Sequence, residues 1–134
     1  MNRSRTVVLE GLWYTDEHEW TRVEGDTAVI GITDYAQREL RDVVFVELPA
    51  VGDKLTFRKD FGYVESTKAV NAIIAPVSGE VIEVNSKLED SPELINIDPY
   101  GEGWMVKVRM SNKDELKELL DAEGYSKLME ILEK

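Results

Sequence analysis

The chain reads as a mostly β fold, a sandwich or barrel of hairpins with short helices and a C-terminal helical segment. β-favouring runs recur about every ten residues, and turn residues such as Glu24-Gly25-Asp26 and Val51-Gly52-Asp53 separate them. Helical periodicity is confined to two short internal pieces and to residues 111–134. One domain over residues 1–134 is expected, with residues 1–10 as an N-terminal extension, because this length holds a core able to fold alone.

Residues 12–14 predict a short first strand and residues 15–20 a polar loop between aromatic anchors. Residues 20–23 and 27–32 predict a hairpin, since Gly25 can take a positive φ in the turn between them. Residues 33–40 predict a helix of two turns with Thr33 or Asp34 as N-cap and Gln37 in capping-box position. A strand over 43–48 stops at Pro49, residues 54–57 continue as a strand, and Arg58-Lys59-Asp60 turns the chain again.

Residues 63–65 and 70–74 are the arms of the next hairpin, and Ser66-Thr67 is a small polar pair that a tight reversal tolerates, with Lys68 at the reversal. Pro76 and Ser78-Gly79 end the second arm before a strand over 81–84. Ser91 as N-cap and Pro92 as first residue predict one helical turn over 92–95, followed by a loop over 98–103. In a closing strand over 104–110, alternation puts Trp104, Val106 and Val108 on one face. Ser111 or Asn112 would cap a helix with Leu116, Leu119 and Leu120 on one stripe, and Tyr125, Leu128, Met129 and Leu132 repeat the helical spacing after Gly124. Two stretches, Val51-Gly-Asp-Lys-Leu55 and Val77-Ser-Gly-Glu-Val81, are loosely alike, as two halves of a hairpin sandwich would be.

Composition narrows the function. With 27 acidic against 16 basic residues and a net charge of −11, the chain lacks the basic stripe that phosphate backbones require, so nucleic acid is not expected as a partner. No cysteine is present, which excludes disulfides, thiolate metal sites and cysteine nucleophiles. His18 is the only histidine, so a histidine-rich metal site cannot form, and neither a Gly-rich phosphate loop nor a nucleophile elbow surrounds any candidate. No apolar run suits a signal peptide or membrane span, and Arg3, Ser4 and Arg5 resemble a transit peptide only faintly; a cytoplasmic protein is expected, or a mitochondrial matrix protein in a eukaryote.

The stretch Glu65-Ser66-Thr67-Lys68-Ala69, followed by Pro76-Val-Ser-Gly-Glu-Val81, resembles the lipoyl and biotinyl carrier domains, whose fold is a barrel-sandwich hybrid of hairpins. Ala after the lysine matches the lipoyl pattern, and the Met residues that flank a biotinyl lysine are absent. Further blocks in order, Tyr14-Thr-Asp-Glu-His-Glu-Trp20, Gly31-Ile-Thr-Asp-Tyr-Ala-Gln37, Val44-Phe-Val-Glu-Leu-Pro49, Asn96-Ile-Asp-Pro-Tyr100 and Gly103-Trp104, resemble the H proteins of the glycine cleavage system. Arg41 and Ala72 depart from that pattern, standing where a glycine and an acid are common.

The resemblance implies lipoic acid amide-linked to Lys68 by a lipoate ligase or lipoyl transferase that reads Glu65, Ser66, Thr67 and Ala69. It implies a non-catalytic carrier of the aminomethyl group from a pyridoxal-phosphate glycine decarboxylase to a tetrahydrofolate-dependent aminomethyltransferase. An FAD-containing dihydrolipoamide dehydrogenase then reoxidises the arm. Glu19, in the matching Glu-His-Glu-Trp block, is the candidate carboxylate for the cationic loaded arm, and His18 is read as structural. A lipoyl relay or storage protein, another lipoyl-domain carrier and an unmodified β interaction module remain alternatives. Lipoylation and glycine-dependent CO2 exchange separate them.

Overall fold

The computed structural model describes residues 5–133. Arg3 and Ser4, with the rest of residues 1–4 of the N-terminal extension, lie outside the described residues, as does Lys134. In chain order the elements are β1 (Trp13–Tyr14), β2 (Glu19–Glu24), β3 (Thr27–Ile32), α1 (Asp34–Leu40), β4 (Val43–Glu47), β5 (Lys54–Leu55) and β6 (Asp60–Ser66). There follow β7 (Val70–Ile74), β8 (Gly79–Val84), α2 (Lys87–Asp90), α3 (Leu94–Ile97), β9 (Val106–Met110), a 3-10 helix (Lys113–Glu118) and α4 (Ala122–Leu132).

The strands make two antiparallel sheets, one of order β1-β2-β3-β9-β8-β5 and one of order β4-β6-β7. Alternating inward residues of the first sheet, including Ala28, Ile30, Val81, Val106 and Val108, form one core with Leu55, Ala75 and Val77. Val46, Val64 and Ile73 of the second sheet form another with Leu40 of α1, Leu88 of α2 and Ile95 of α3. A third cluster joins Tyr14 and Trp20 to Ala122, Tyr125 and Met129 of α4. The two loosely similar stretches lie side by side, since Lys54 pairs with Glu80 and Leu55 with Gly79.

Several expectations need correction. Thr33 is the N-cap of α1, its hydroxyl accepting from the Ala36 amide, but no capping box forms: Gln37 donates to Asp34 Oδ1. The strand expected over 54–57 is only Lys54–Leu55. A helix not expected, α2, precedes α3, and α3 runs Leu94–Ile97 with Glu93 rather than Ser91 at its N-cap. Trp104 is not in the closing strand: its amide bonds to Gly101 O in the preceding turn, and its ring joins the Tyr14 and Trp20 cluster rather than that of Val106 and Val108.

At the C-terminal end, Asn112 does cap a helix, but it is a 3-10 helix that stops at Glu118. Leu120 instead exchanges two backbone hydrogen bonds with Tyr14, which pulls it out of any helical stripe. α4 starts earlier than the sequence pattern indicates, at Ala122 with Asp121 as its N-cap, so Gly124 lies inside its first turn.

Candidate functional site

Lys68 is exposed in the turn that joins β6 to β7. The turn is closed by the Ser66 amide on Ala69 O at 2.8 Å. Ser66 is 8% exposed, and its hydroxyl oxygen accepts from the Lys68 and Ala69 amides, each at 3.1 Å. The same hydroxyl donates to Ala69 O at 3.3 Å. This is the local side-chain to backbone bonding that makes serine a turn residue. The Thr67 amide donates to Asp42 O at 3.0 Å, so the hairpin tip is also tied to the segment that leaves α1. The lysine is therefore carried by backbone fixed from both sides.

The Lys68 ammonium donates to Glu39 O at 3.1 Å. Among the described residues no carboxylate pairs with it, and a single bond from an exposed amine to an exposed carbonyl is readily exchanged for water. The amine is thus accessible for acylation, and attaching a chain there requires no buried ion pair to be broken. Glu65 and Ala69 are half-buried at the ends of the turn and Thr67 is exposed, so all four flanking residues surround the lysine in space as they do in sequence.

Glu19 does not lie in the expected polar loop. It opens β2, is 2% exposed, and both carboxylate oxygens are engaged within the fold. Thr15 Oγ1 donates to Oε1 at 2.5 Å and the Ile74 amide to Oε2 at 3.1 Å. Burial pushes its carboxyl up to about 8, against the opposing effect of those two hydrogen bonds and with a small further rise from the charge of Glu17. Ile74 ends β7 four residues beyond Val70, which puts it roughly 13 Å along the strand from the lysine turn. The structure does not bring Glu19 into contact with Lys68.

His18 is held with φ 75, and its Nδ1 lies 2.9 Å from the Tyr125 hydroxyl, which lies 2.8 Å from Thr33 Oγ1. Burial lowers its pKa from the ordinary value. The ring therefore ties the loop before β2 to α4 and to the N-cap of α1.

Three supports of the site carry no chemical signature in the sequence. Asp42 and Glu39 act through backbone carbonyls, which any residue supplies. Asn96 donates to Gln37 Oε1 and Arg41 O and accepts from the Val43 amide, holding the exit of α1 to the start of β4. In the sequence Asn96 stands out only as the first residue of the Asn96-Ile-Asp-Pro-Tyr100 block.

A hairpin sandwich with an exposed lysine at a braced turn has the architecture of a carrier domain. The comparisons give the particular family. The family model described as glycine cleavage H-protein matches residues 12–131. A glycine cleavage system H protein of Carboxydothermus hydrogenoformans is 54% identical over 125 residues, 93% of this chain and 96% of that one. One of Symbiobacterium thermophilum is 59% identical over 114 residues, 85% and 89% of the two chains. The crystal structure of a glycine cleavage system H protein from Mycobacterium marinum superposes with a TM-score of 0.82 at 38% identity, covering 90% of this chain and 98% of that one. The chain belongs to the glycine cleavage H-protein family, carrier subunits of the glycine cleavage system.

Proposed function

We propose that Lys68 carries lipoic acid in amide linkage and that the chain, without catalysis of its own, shuttles the aminomethyl group of glycine between the enzymes of the glycine cleavage system. The observation that carries this reading is the braced turn: an exposed amine that donates to a backbone carbonyl and, among the described residues, pairs with no carboxylate, on backbone tied to Ser66 and Asp42. When bound, lipoate supplies a disulfide that accepts the aminomethyl group and is reduced as it does so.

The residues of the chain do the positioning. Ser66 and the Asp42 carbonyl hold the base of the arm, which keeps the effective concentration of its far end high at each partner; a floppy support would dilute it. Glu65, Ser66, Thr67 and Ala69 form the surface that a lipoate ligase or lipoyl transferase reads. The partners of the loaded chain are glycine decarboxylase with pyridoxal phosphate, the tetrahydrofolate-dependent aminomethyltransferase and the FAD-containing dihydrolipoamide dehydrogenase. The proposed setting is the cytoplasm of a bacterium; among the described residues no helix is long and apolar enough to cross a membrane.

Glu19 enters this reading as a buried acid that would ionise against the cationic loaded group, and reaching it requires Thr15 or Ile74 to yield. Equal lifetimes of the loaded form in Glu19→Gln and the parent would remove it from the mechanism. For the central claim, intact mass after incubation with a lipoate ligase, ATP and lipoate should rise by one lipoyl group, with peptide mapping to Lys68. Lys68→Arg should gain no mass and support no glycine-dependent CO2 exchange. Exchange at the parent rate in that variant ends the proposal.

A further inference from the structure

The second sheet buries Val46, Val64 and Ile73 and turns its other face to solvent. Phe45 stands opposite Glu65, which stands opposite Val70; one row further from the turn, Glu47, Tyr63 and Ala72 are aligned across the same three strands. Phe45 is 45% exposed and Val70 62%. The rings of Phe45 and Tyr63 meet at 5.9 Å between centroids. Phe45, Tyr63, Val70 and Ala72 thus place apolar side chains on all three strands of this face beside the Lys68 turn, with Glu65 standing between Phe45 and Val70. No basic side chain shares these two rows, and among the described residues neither Glu47 nor Glu65 makes an ion pair.

We propose that this face, Phe45, Tyr63 and Val70 with Glu47 and Glu65, is the docking surface for the enzyme that acylates Lys68, and that this enzyme meets it with an apolar surface carrying Lys or Arg. The inference rests on Lys68 being the lipoylated residue. Three arguments select the occupant. A second copy of the chain is excluded by charge, since each copy is at −11 and the face bears only acids. Size excludes a permanent partner as well: two rows across three strands expose on the order of 200 Å², against roughly 800 Å² per partner in a stable complex, so the contact is transient. Among transient partners reach decides. An enzyme that works at Lys68 Nζ must come within one side-chain length of the turn and covers what flanks it, whereas enzymes that work at the far end of the arm can stand off by the length of the acyl chain.

The test uses the full chain with a lipoate ligase, lipoate and ATP. Lys68 Nζ loses a proton and attacks the carboxyl of the nucleotide-activated lipoate; the amide C–N bond forms as the C–O bond to AMP breaks, so intact mass reports each turnover. Phe45→Thr with Val70→Thr leaves a β-favouring, β-branched residue in both exposed strand positions while removing two of the apolar side chains. Its acylation kcat/KM should fall about tenfold, mainly through KM, as expected for two central contacts. Driven to full lipoylation by long incubation, the double variant should support glycine-dependent CO2 exchange within about twofold of the parent, a split that separates lost docking from lost chemistry. Glu47→Arg should also slow acylation and flatten its dependence on salt.

Acylation of the double variant at the parent rate overturns the inference while leaving Lys68 as the attachment site. Loss of CO2 exchange equal to the loss of acylation overturns it too, because the face then serves the fold or another partner. A parent chain that gains no lipoyl mass, or gains it on another lysine, overturns the Lys68 reading and this inference with it.

Discussion

At Arg41 the chain leaves α1 with φ 67 and ψ −147, a backbone region that a residue with a Cβ occupies at a cost of about 1–3 kcal/mol. The surroundings hold it there: its amide donates to Gln37 O and its carbonyl accepts from Asn96 Nδ2. The next residue, Asp42, supplies the carbonyl that receives Thr67, so this strain is one peptide away from a support of the lysine turn. A glycine is common here among the proteins the chain resembles, and the positive φ is the physical reason for it. Arg41→Gly should raise stability by about 1 kcal/mol, the relieved strain exceeding the added flexibility of the unfolded chain. Urea denaturation checks it, and an unchanged or lowered midpoint would mean the strain is not stored at this residue.

At the scale of elements, the hairpin that carries Lys68 depends on how closely β4 approaches β6. Gly62 sits at an irregularity in the β6–β7 ladder, and a Cβ built there would run into the carbonyl oxygen of Glu47 on β4. Gly62→Ala should therefore cost about 2–3 kcal/mol, since backbone on both sides must shift to admit one methyl group. A thermal melt that drops by only a degree or so would show that β4 can move away freely. The hairpin itself was legible in the sequence because its determinants are local: β-favouring arms, a Ser-Thr pair between them and Pro76 after them. The errors fall where a distant partner decides. Alternation assigned Trp104 to the face of Val106, yet the turn bond to Gly101 O sets it outside the strand. Helical spacing carried Leu119 and Leu120 into one helix, yet Tyr14, over a hundred residues away, claims Leu120 as a strand partner. Glu19 looked like a loop acid because Glu-His-Glu is polar, and only the closure of β7 over it, through the Ile74 amide, makes it buried.

For the whole molecule, two displaced ionisations set how stability depends on pH. The fold raises the Glu19 carboxyl to about 8, well above its unfolded value, so between those limits the folded chain holds a proton that the unfolded chain has released. Stability from this group is full below its unfolded pKa and is lost as pH rises through about 8. His18 acts in the opposite direction: burial lowers its pKa, so as pH falls below the ordinary histidine value the unfolded chain takes up a proton that the folded one refuses. Just below pH 6.5 the two slopes oppose each other. From about pH 6.5 to about pH 8 Glu19 acts without that opposition, and at about 1.4 kcal/mol per pH unit the parent should lose about 2 kcal/mol over the interval. Glutamine has the shape of the protonated acid, can accept from the Ile74 amide and donate to Thr15 Oγ1, and does not titrate. Glu19→Gln should match the parent near pH 4, below the unfolded carboxyl range, and gain on it as pH rises, its advantage growing by about 2 kcal/mol between pH 6.5 and pH 8 as the parent comes to keep a charge inside the fold. Urea denaturation at these pH values reads the difference directly; parallel curves for the two proteins would mean that Glu19 is already ionised in the fold and that its two hydrogen bonds outweigh its burial.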